Sequence, residues 1–503
     1  MARRGFRRGA LGLIGAAALA VTSAGADGPS TPATVPAAPT GEFKRLIALK
    51  EYPQAVAEAN RLLAAAEVEP GDGGEYLQVA LMNLALAEYL NLDYVQAETH
   101  YLRVIELIES SGQRNDARLA RAQAGLANTY YAGKRYDLAV ARYEQAIALV
   151  RRNQGLFSEE QVPYLRKFAD ALTQLNRNPD ALRVHRYLLK SVGRRYGEKS
   201  LQYASELEDT GRWLSAVGAY DQSRTALNRA ISIIEDLQGE NAGALIGPLT
   251  ALGECARRQL LDPSSDLPQT PDEARRTYFV DPTAPAAPEV SVSTVTAEGQ
   301  RALERAVAVA GAQSPQSALQ VADTRTLLGD WYQSRRQFAR ALDSYLLAWR
   351  AAEGAEMDGK PVGELIFGQP VLLVYRPPFG WNRYADPAGA RAVLREVHLE
   401  LVVGARGTVD SIKVTDDSGD PDRAERATDA AEDAIYRPRF AGGAPVATTG
   451  VTLVQPFYVR EQDLPDAAPA APASTPPAAT PAPAPVPDAT PDPVPESPPP
   501  GSG

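Results

Sequence analysis

Residues 126–146 read LANTYYAGKRYDLAVARYEQA, and this stretch decides how the rest of the chain is interpreted. It predicts a first helix with one packing face, an interruption at Gly133, and a second helix with another packing face. The first face contains Leu126, Ala127 and Tyr130, and the second contains Tyr136, Ala139, Tyr143 and Ala146. Two antiparallel helices approach closely only where a small side chain lies between them. The alternation of large and small residues therefore predicts a tightly packed helix pair.

The pattern returns along the chain with a period of 42 residues. Each copy has a small residue in its second helix and packing positions four and seven residues later. These small residues are Ala55, Ala97, Ala139, Ala181 and Ser223, and Ala341 marks a last copy. The unit resembles the tetratricopeptide repeat, whose usual period is 34. The resemblance implies an all-α solenoid of about seven antiparallel helix pairs, which we place at residues 41–352.

The sixth copy contains a long insert. Leu252-Gly253 matches the first helix, but residues 260–296 are rich in proline and break the helical pattern. The pattern returns at Gly299, which again precedes Ala341 by 42 residues. We therefore place the insert as a loop between the two helices of one unit. Such a loop is either functional or disordered, and its composition favours disorder.

The N-terminus has the three parts of a secretory signal peptide. Four arginines precede an apolar run from Ala10 to Val21, and a small-x-small site ends at Ala26. The run has about 12 residues, fewer than the roughly 20 that span a bilayer, so cleavage is favoured over a retained anchor. We predict a signal peptide at 1–26 and a flexible leader at 27–40.

Charge and cysteine content exclude several classes of partner. The chain carries a net charge of -10, and removing residues 1–26 takes away four arginines and gives -14. Such an acidic chain is not expected to bind nucleic acid or anionic membranes. Cys255 is the single cysteine, so the chain forms no internal disulfide.

After the array the sequence changes character. Residues 353–390 are a connector rich in proline and aromatic residues. Residues 397–403 and 409–414 alternate as two strands of a hairpin, and Asp420-Pro421 begins a helix. The expected packing stripe of that helix is Ala427, Ala431 and Ile435, and 450–459 is predicted as a final strand.

This order of elements resembles the C-terminal domain of TonB-family proteins. The matching pieces are 407–409, Ala430-Ala431 and 436–445, and residues 371–378 resemble the segment that leads into that domain. The resemblance implies a small α+β domain (β-β-α-β) at 391–460, with a sheet edge that accepts an extended segment of an outer-membrane receptor. The candidate edge residues are Val451, Leu453, Phe457 and Tyr458. Residues 461–503, rich in proline and alanine, predict a disordered tail.

No catalytic, metal-binding or cofactor-binding residue is predicted, and the chain is not expected to be an enzyme. His100, His185 and His398 belong to different units and lack metal-ligand spacing. Cys255 is expected to be a buried, inert thiol. Four aspartates at positions 416, 417, 420 and 422 are expected to cap a helix, because they lack the spacing of a calcium loop.

The first helices of the array offer a candidate peptide groove. In arrays of this kind those helices line the concave face, and polar residues of both charges there suit an extended peptide. The candidates are Leu86, Tyr89, Asn128, Tyr131, Arg166, Asp170, Glu208, Arg212, Glu254, Arg257, Asp330 and Gln333.

These features predict a non-enzymatic periplasmic scaffold, with possible association with the outer membrane. Its expected partners are periplasmic or outer-membrane proteins or peptides, or a second copy of the chain, and no small-molecule substrate is expected. Two alternatives stay open. The first is a TonB-type energy transducer, which needs a retained N-terminal anchor, and the second is a regulator of a cell-envelope enzyme.

Overall fold

The computed structural model describes residues 41–69, 74–112, 117–262, 265, 290–357, 359–381, 392–417 and 419–460. The predicted signal peptide, leader and tail, and most of the predicted insert, lie outside these residues. None of the described helices is both long enough and apolar enough to cross a bilayer.

Within the described part of the chain, the repeat region consists of seven antiparallel helix pairs, which we call units 1 to 7. A short 3-10 turn precedes the first helix of units 4 and 6, at 159–161 and 243–245. The pairs are α1 (Gly41–Ala48) with α2 (Tyr52–Val68), α3 (Glu75–Leu90) with α4 (Tyr94–Ser110), α5 (Ala117–Ala132) with α6 (Tyr136–Gln154), α7 (Val162–Gln174) with α8 (Asn178–Tyr196), α9 (Leu201–Ala216) with α10 (Tyr220–Gln238), α11 (Ile246–Leu261) with α12 (Val292–Ala312), and α13 (Ala318–Ser334) with α14 (Phe338–Ala352).

The predicted period is confirmed by where the second helices begin. In units 1 to 5 they begin at Tyr52, Tyr94, Tyr136, Asn178 and Tyr220, each 42 residues after the one before. The small residues of the pattern are fully buried in every one of these units.

Close packing between large and small residues holds each pair together. Tyr345 in α14 lies against Gly329 in α13, so that a Cβ on this glycine would overlap the tyrosine ring. Gly125 in α5 has the same relation to the ring of Tyr101 in α4, the second helix of the preceding unit. The sequence pattern thus marks contacts both within units and between them.

The turn inside each of units 1 to 5 uses one residue in the left-handed conformation. Lys50, Leu92, Lys134, Asn176 and Gly218 have φ between 58° and 82° and are again spaced by 42 residues. The residue after each of them donates its backbone N–H to a carbonyl five positions earlier, which closes the end of the first helix. Only unit 5 has the glycine that this conformation favours.

The insert was predicted between the two helices of unit 6. Helix α11 runs to Leu261 and α12 begins at Val292, so both helices extend further than the predicted bounds of 260 and 296. The two helices pack against each other despite the long separation. Residues 263, 264 and 266–289 lie outside the described residues.

The segment predicted as a connector forms structure of its own. A small hairpin, β1 (Glu356–Met357) with β2 (Lys360–Pro361), leads into α15 (Val362–Phe367) and β3 (Val371–Val374). Phe367 is fully buried and β3 pairs with a later strand, so this part of the segment packs into the fold. The sequence pattern had indicated only a connector at 353–390, without helices or strands.

The C-terminal region contains the predicted hairpin, helix and final strand, together with three short strands that were not predicted. The elements are β4 (Ala392–Val403), β5 (Val409–Asp416), α16 (Pro421–Glu432), β6 (Ile435–Arg437), β7 (Arg439–Ala441), β8 (Ala444–Val446) and β9 (Thr448–Arg460). The hairpin strands β4 and β5 form a sheet with β9 in the order β5-β4-β9, while β3 pairs with β6 and β7 pairs with β8.

One residue of the predicted helix stripe belongs elsewhere. Ala427 and Ala431 are buried on α16 as expected, but α16 ends at Glu432 and Ile435 is the first residue of β6. Ile435 is buried in its own right, so it continued the apolar spacing of the helix by coincidence. Asp420 caps α16 by accepting hydrogen bonds from the backbone N–H groups of Asp422 and Arg423.

Candidate functional site

The first helices of the array form the candidate site because those of neighbouring units contact one another, as α3 does with α5, α5 with α7, α9 with α11 and α11 with α13. Three positions recur on the first helices. They are counted from the first residue of the Leu-Ala or Leu-Gly pair, or from the residue that takes its place in units without such a pair. The inner position lies two residues after it, the middle position five residues after it and the turn position eight residues after it. In unit 7 these positions are Asp330, Gln333 and Arg336.

Asp330 binds an arginine of the C-terminal region. Its two carboxylate oxygens accept hydrogen bonds from Nε and Nη2 of Arg437 at 2.9 and 2.7 Å. Tyr345 donates its hydroxyl to the same carboxylate at 2.9 Å, and Arg437 also donates to the carbonyl of Ile366 at 3.0 Å. The side chains of Asp330 and Arg437 are only 9% and 13% exposed, so this is a buried, bidentate ion pair.

Gln333 binds the main chain of the same region. Its side-chain amide donates to the carbonyl oxygens of Arg406 and Tyr436 at 2.6 and 2.8 Å. Gly407 has φ of +78°, and a Cβ there would overlap both the Tyr436 carbonyl and the Gln333 amide. Glycine at this position is therefore required for the β4–β5 turn to approach Gln333 this closely.

An aromatic cluster completes the contact. Phe440 of β7 packs between Phe367 and Trp349, with ring centroids 4.8 and 5.9 Å away, and its ring meets that of Tyr345 edge-on at 6.4 Å. The guanidinium of Arg437 lies 5.8 Å from the centre of the Phe367 ring. Arg437 and Phe440, the first and last residues of the sequence RPRF at 437–440, thus fix the C-terminal region to unit 7 with one polar and one apolar anchor.

Unit 6 contributes a further buried contact. Arg257 is 5% exposed, and it donates to the carbonyl of Leu373 in β3 at 3.2 Å and to Glu254 at 2.7 Å. Burial alone would raise the pKa of Glu254, but Arg257 and Arg258 outweigh it and lower that pKa to about 2. Glu254, Arg257, Asp330 and Gln333 therefore contact their own chain, and the prediction that all twelve candidates face an open groove does not hold for these four.

Among the described residues, the same face is less buried in units 2 and 3 than in unit 7. Leu86 is 37% exposed, and Tyr89, Asn128 and Tyr131 are half-buried. Asn128 accepts a hydrogen bond at 2.6 Å from the hydroxyl of Tyr143, the interaction that Asp330 makes with Tyr345 in unit 7. These four residues are called the N-terminal groove below.

The charged candidates of units 4 and 5 form ion pairs and hydrogen bonds within their own first helix or with the next one. Arg166 donates to Glu206 at 2.7 Å, and Arg212 donates to Glu208 at 2.8 Å and to the carbonyl of Gly247 at 2.8 Å. Asp170 lies 3.7 Å from Lys167, and burial raises the pKa of this aspartate. This part of the row is a network of ion pairs across neighbouring first helices, with a charged surface of both signs.

The candidate strand edge is partly used by the chain itself. β9 is an outer strand of its sheet, as predicted. Its residue Tyr458 donates its backbone N–H to the carbonyl of Trp381 at 2.9 Å, which shows that this N–H points away from the sheet. Because N–H direction alternates along a strand, Pro456 falls on the same outer side and removes a donor there.

The side chains proposed for the edge divide into two groups. Leu453 and Phe457 are buried, so they are core residues that a partner would not reach. Val451 and Tyr458 are half-buried. Any partner added at this edge would bind mainly through the backbone.

No group of three or more His, Cys, Asp and Glu side chains in the described residues is arranged to hold a metal ion. His100 contacts Glu88 at 2.7 Å, and His185 stacks on Trp213 with ring centroids 4.4 Å apart. Cys255 is buried, and burial raises the pKa of its thiol, as expected for an inert cysteine.

Two cavities lie away from the predicted groove residues, each lined by one first helix and two second helices. One of 440 Å³ is lined by α6, α7 and α8, and Arg151 and Tyr187 are among its lining residues. The other, of 920 Å³, lies among α4, α5 and α6, with Gln123, Arg142 and Arg152 in its lining. Neither contains a residue of the predicted groove.

Comparison with known proteins supports the repeat family. Residues 76–152, which span units 2 and 3, match the family model described as tetratricopeptide repeat. No curated protein is similar enough in sequence to count as a relative. The comparisons give no support for the resemblance to the TonB family. The structure does contain a small strand-containing region in the C-terminal part of the chain.

Several solved structures are similar in fold. Nearly identical TPR-like repeats from Podosopora anserina have 15% identity and a TM-score of 0.37, over 39% of this chain and 93% of theirs. BtubC (BKLC) from P. vanneervenii has 17% identity and a TM-score of 0.29, over 63% and 94%. The TPR2AB domain of yeast Sti1, in its complex with pHSP90, has 13% identity and a TM-score of 0.21, over 58% and 96%.

Proposed function

We propose that this protein is a non-enzymatic scaffold that binds an extended segment of a partner protein along the N-terminal groove. One observation carries the proposal. In unit 7 the same face of the first helix already binds a short strand, through the side chain of Arg437 and the carbonyl of Tyr436. The inner and middle positions of a repeat can therefore hold extended chain, and in units 2 and 3 Leu86 is exposed at these positions while Tyr89, Asn128 and Tyr131 are half-buried.

The N-terminal groove has the composition of a peptide site. Tyr89 and Tyr131 present large rings with hydroxyl groups, and Asn128 offers an amide that can bind main chain. Burial raises the pKa of Tyr131 to about 12, so its hydroxyl stays protonated at neutral pH. Lys167 lies over the Tyr131 ring, 5.6 Å from its centre, and limits the groove on the side of unit 4.

The proposed location is the periplasm, and the proposed partners are periplasmic or outer-membrane proteins. The arginine-rich start, the apolar run and the small-x-small site at Ala26 support export. Sequencing the N-terminus of the mature protein tests this, with Asp27 as the expected first residue. An uncleaved N-terminus in the membrane fraction would favour the TonB-type transducer instead.

A second binding mode at the edge of β9 is proposed because this strand lies on the outside of its sheet. Pro456 and the bond from Tyr458 to Trp381 restrict that mode to the first half of the strand, residues 448–455. This second binding mode is the TonB-like part of the proposal. If a folded chain that lacks residues 448–460 still captures the same partners, the second binding mode is contradicted.

Photo-crosslinking in the producing cell tests the groove. A benzoylphenylalanine placed at Tyr131 should crosslink to a small set of proteins, while the same residue placed at Tyr196 should not capture them. Tyr196 is a suitable control because it is 39% exposed and lies near the end of the second helix of unit 4. The same set of crosslinked proteins from both positions would contradict a specific groove.

A further inference from the structure

Unit 7 shows how one repeat of this chain binds an extended segment. Besides the inner and middle contacts described above, its turn position takes part. Arg336 pairs with Asp433, the second residue before β6, with Nη2 and Oδ1 2.7 Å apart. The bound segment therefore runs along three successive positions of one first helix and its turn.

In unit 2 the same three positions are apolar or aromatic, and the described residues leave two of them exposed and one half-buried. They are Leu86, which is 37% exposed, Tyr89, which is half-buried, and Leu92, which is 72% exposed. Val95, also 72% exposed, follows on the next helix, and the ring of Tyr94 lies 6.0 Å from that of Tyr89. These five residues are called the unit 2 patch.

Leu92 is the most informative residue of the patch. It has φ of +67°, in the left-handed region that a leucine adopts at a conformational cost. At the equivalent position unit 5 has Gly218, which avoids that cost. Lys50, Lys134 and Asn176 share this conformation, so the turn itself requires it; what sets Leu92 apart is a large apolar side chain exposed to water, which is typical of a binding surface.

We propose that unit 2 binds an extended segment of a partner protein as unit 7 binds β6, with a large apolar side chain where β6 has Arg437. The inference rests on the proposed function and adds the chemistry of the partner. Leu86 replaces the carboxylate of Asp330, so a buried arginine would find no partner there. An apolar side chain would gain the contact instead. The Tyr89 hydroxyl takes the place of the Gln333 amide as a donor to a main-chain carbonyl.

Two peptides test this chemistry against the full-length chain. The first is residues 433–441, DAIYRPRFA, and the second is the same peptide with Arg437→Leu. Unit 7 is already occupied by its own β6, so unit 2 is the site on which the two peptides are compared. In fluorescence anisotropy the leucine peptide should bind about tenfold more tightly than the arginine peptide, because burying one leucine changes affinity by about that factor.

Substitutions in the patch sharpen the test. Leu86→Asp restores the carboxylate found in unit 7, so the preference should reverse in favour of the arginine peptide. Leu102→Asp is the matched control, since Leu102 is 39% exposed on α4, and it should change neither affinity. Leu92→Gly should weaken binding of the leucine peptide several-fold while raising the melting temperature, a combination that a purely structural role would not give.

Three results would overturn the inference: equal affinity for the two peptides, an unchanged preference in folded Leu86→Asp, or no saturable binding of the leucine peptide. If one of these results is obtained and the probe at Tyr131 still crosslinks to cellular proteins, only this inference is contradicted, and the proposed function is still supported. Absence of specific crosslinks would count against the proposed function itself.

Discussion

The ion pair between Asp330 and Arg437 gives the sharpest prediction about stability. Replacing Asp330 by alanine leaves the guanidinium of Arg437 buried without its counter-charge, and it leaves the Tyr345 hydroxyl without its acceptor. Breaking one side of a buried pair costs about 3–5 kcal/mol, and an unpaired buried hydroxyl accounts for about 1–3 kcal/mol where it arises. We expect Asp330→Ala to lower the free energy of unfolding by about 3–5 kcal/mol.

The assay is urea unfolding followed by circular dichroism, together with a double-mutant cycle. Arg437→Met alone should also destabilise strongly, because it leaves the carboxylate buried, and Asp330→Leu alone, which closes the cycle, should do so because it leaves the guanidinium buried. The double variant Asp330→Leu with Arg437→Met removes both charges and should recover most of the loss, since apolar replacement of a buried pair is often close to neutral. The double variant should therefore lose much less stability than the sum of the losses in the two single variants, which means that the two positions are strongly coupled.

A second ion pair of the same interface is the control. Arg336 and Asp433 are also 2.7 Å apart, but their side chains are 58% and 82% exposed. Solvent screens this pair, so Arg336→Ala should cost less than about 1 kcal/mol. If Asp330→Ala costs no more than Arg336→Ala, or if the double variant is as unstable as the two single losses added together, the buried pair does not hold the C-terminal region on unit 7.

The repeats were predictable because their signal is local and repeated. The contact of Tyr345 with Gly329 joins residues 16 apart, and the same pair of size classes returns with every unit. The left-handed turn was not predicted, since Leu92 and Lys134 carry no sequence mark of that conformation. Gly218 was the one sign of it, and comparison of the units at a spacing of 42 would have extended that sign to the others.

The docking of the C-terminal region was not predicted because its contacts are long-range. Asp330 and Arg437 are 107 residues apart, and neither departs from the local pattern around it. In the sequence, Asp330 was interpreted as a polar residue that lines a groove, and the RPRF sequence was interpreted as part of a family resemblance. Neither interpretation indicated a contact between the two. The paired strands β3 and β6 have four and three residues, too few for the alternation that identifies a strand.

Three further predictions concern the repeats themselves. In thermal unfolding, Lys134→Gly should stabilise the chain by up to about 1 kcal/mol and Gly218→Ala should destabilise it by a similar amount, because both residues have positive φ; opposite signs would contradict the turn geometry. Gly329→Ala should cost roughly 1–3 kcal/mol, because its Cβ would overlap the Tyr345 ring, and an unchanged melting temperature would show that the pair is not closely packed. Burial, with Arg166 nearby, lowers the pKa of His185 to about 4 from 6.5, so the folded state favours the neutral ring. The resulting stability is complete above pH 6.5 and is lost as the pH falls towards 4, by up to about 3 kcal/mol at 1.36 kcal/mol per pKa unit. His185→Leu, the residue type found at this position in unit 5, should remove that part of the pH dependence, and an equally steep loss in the variant would assign the acid sensitivity to other groups.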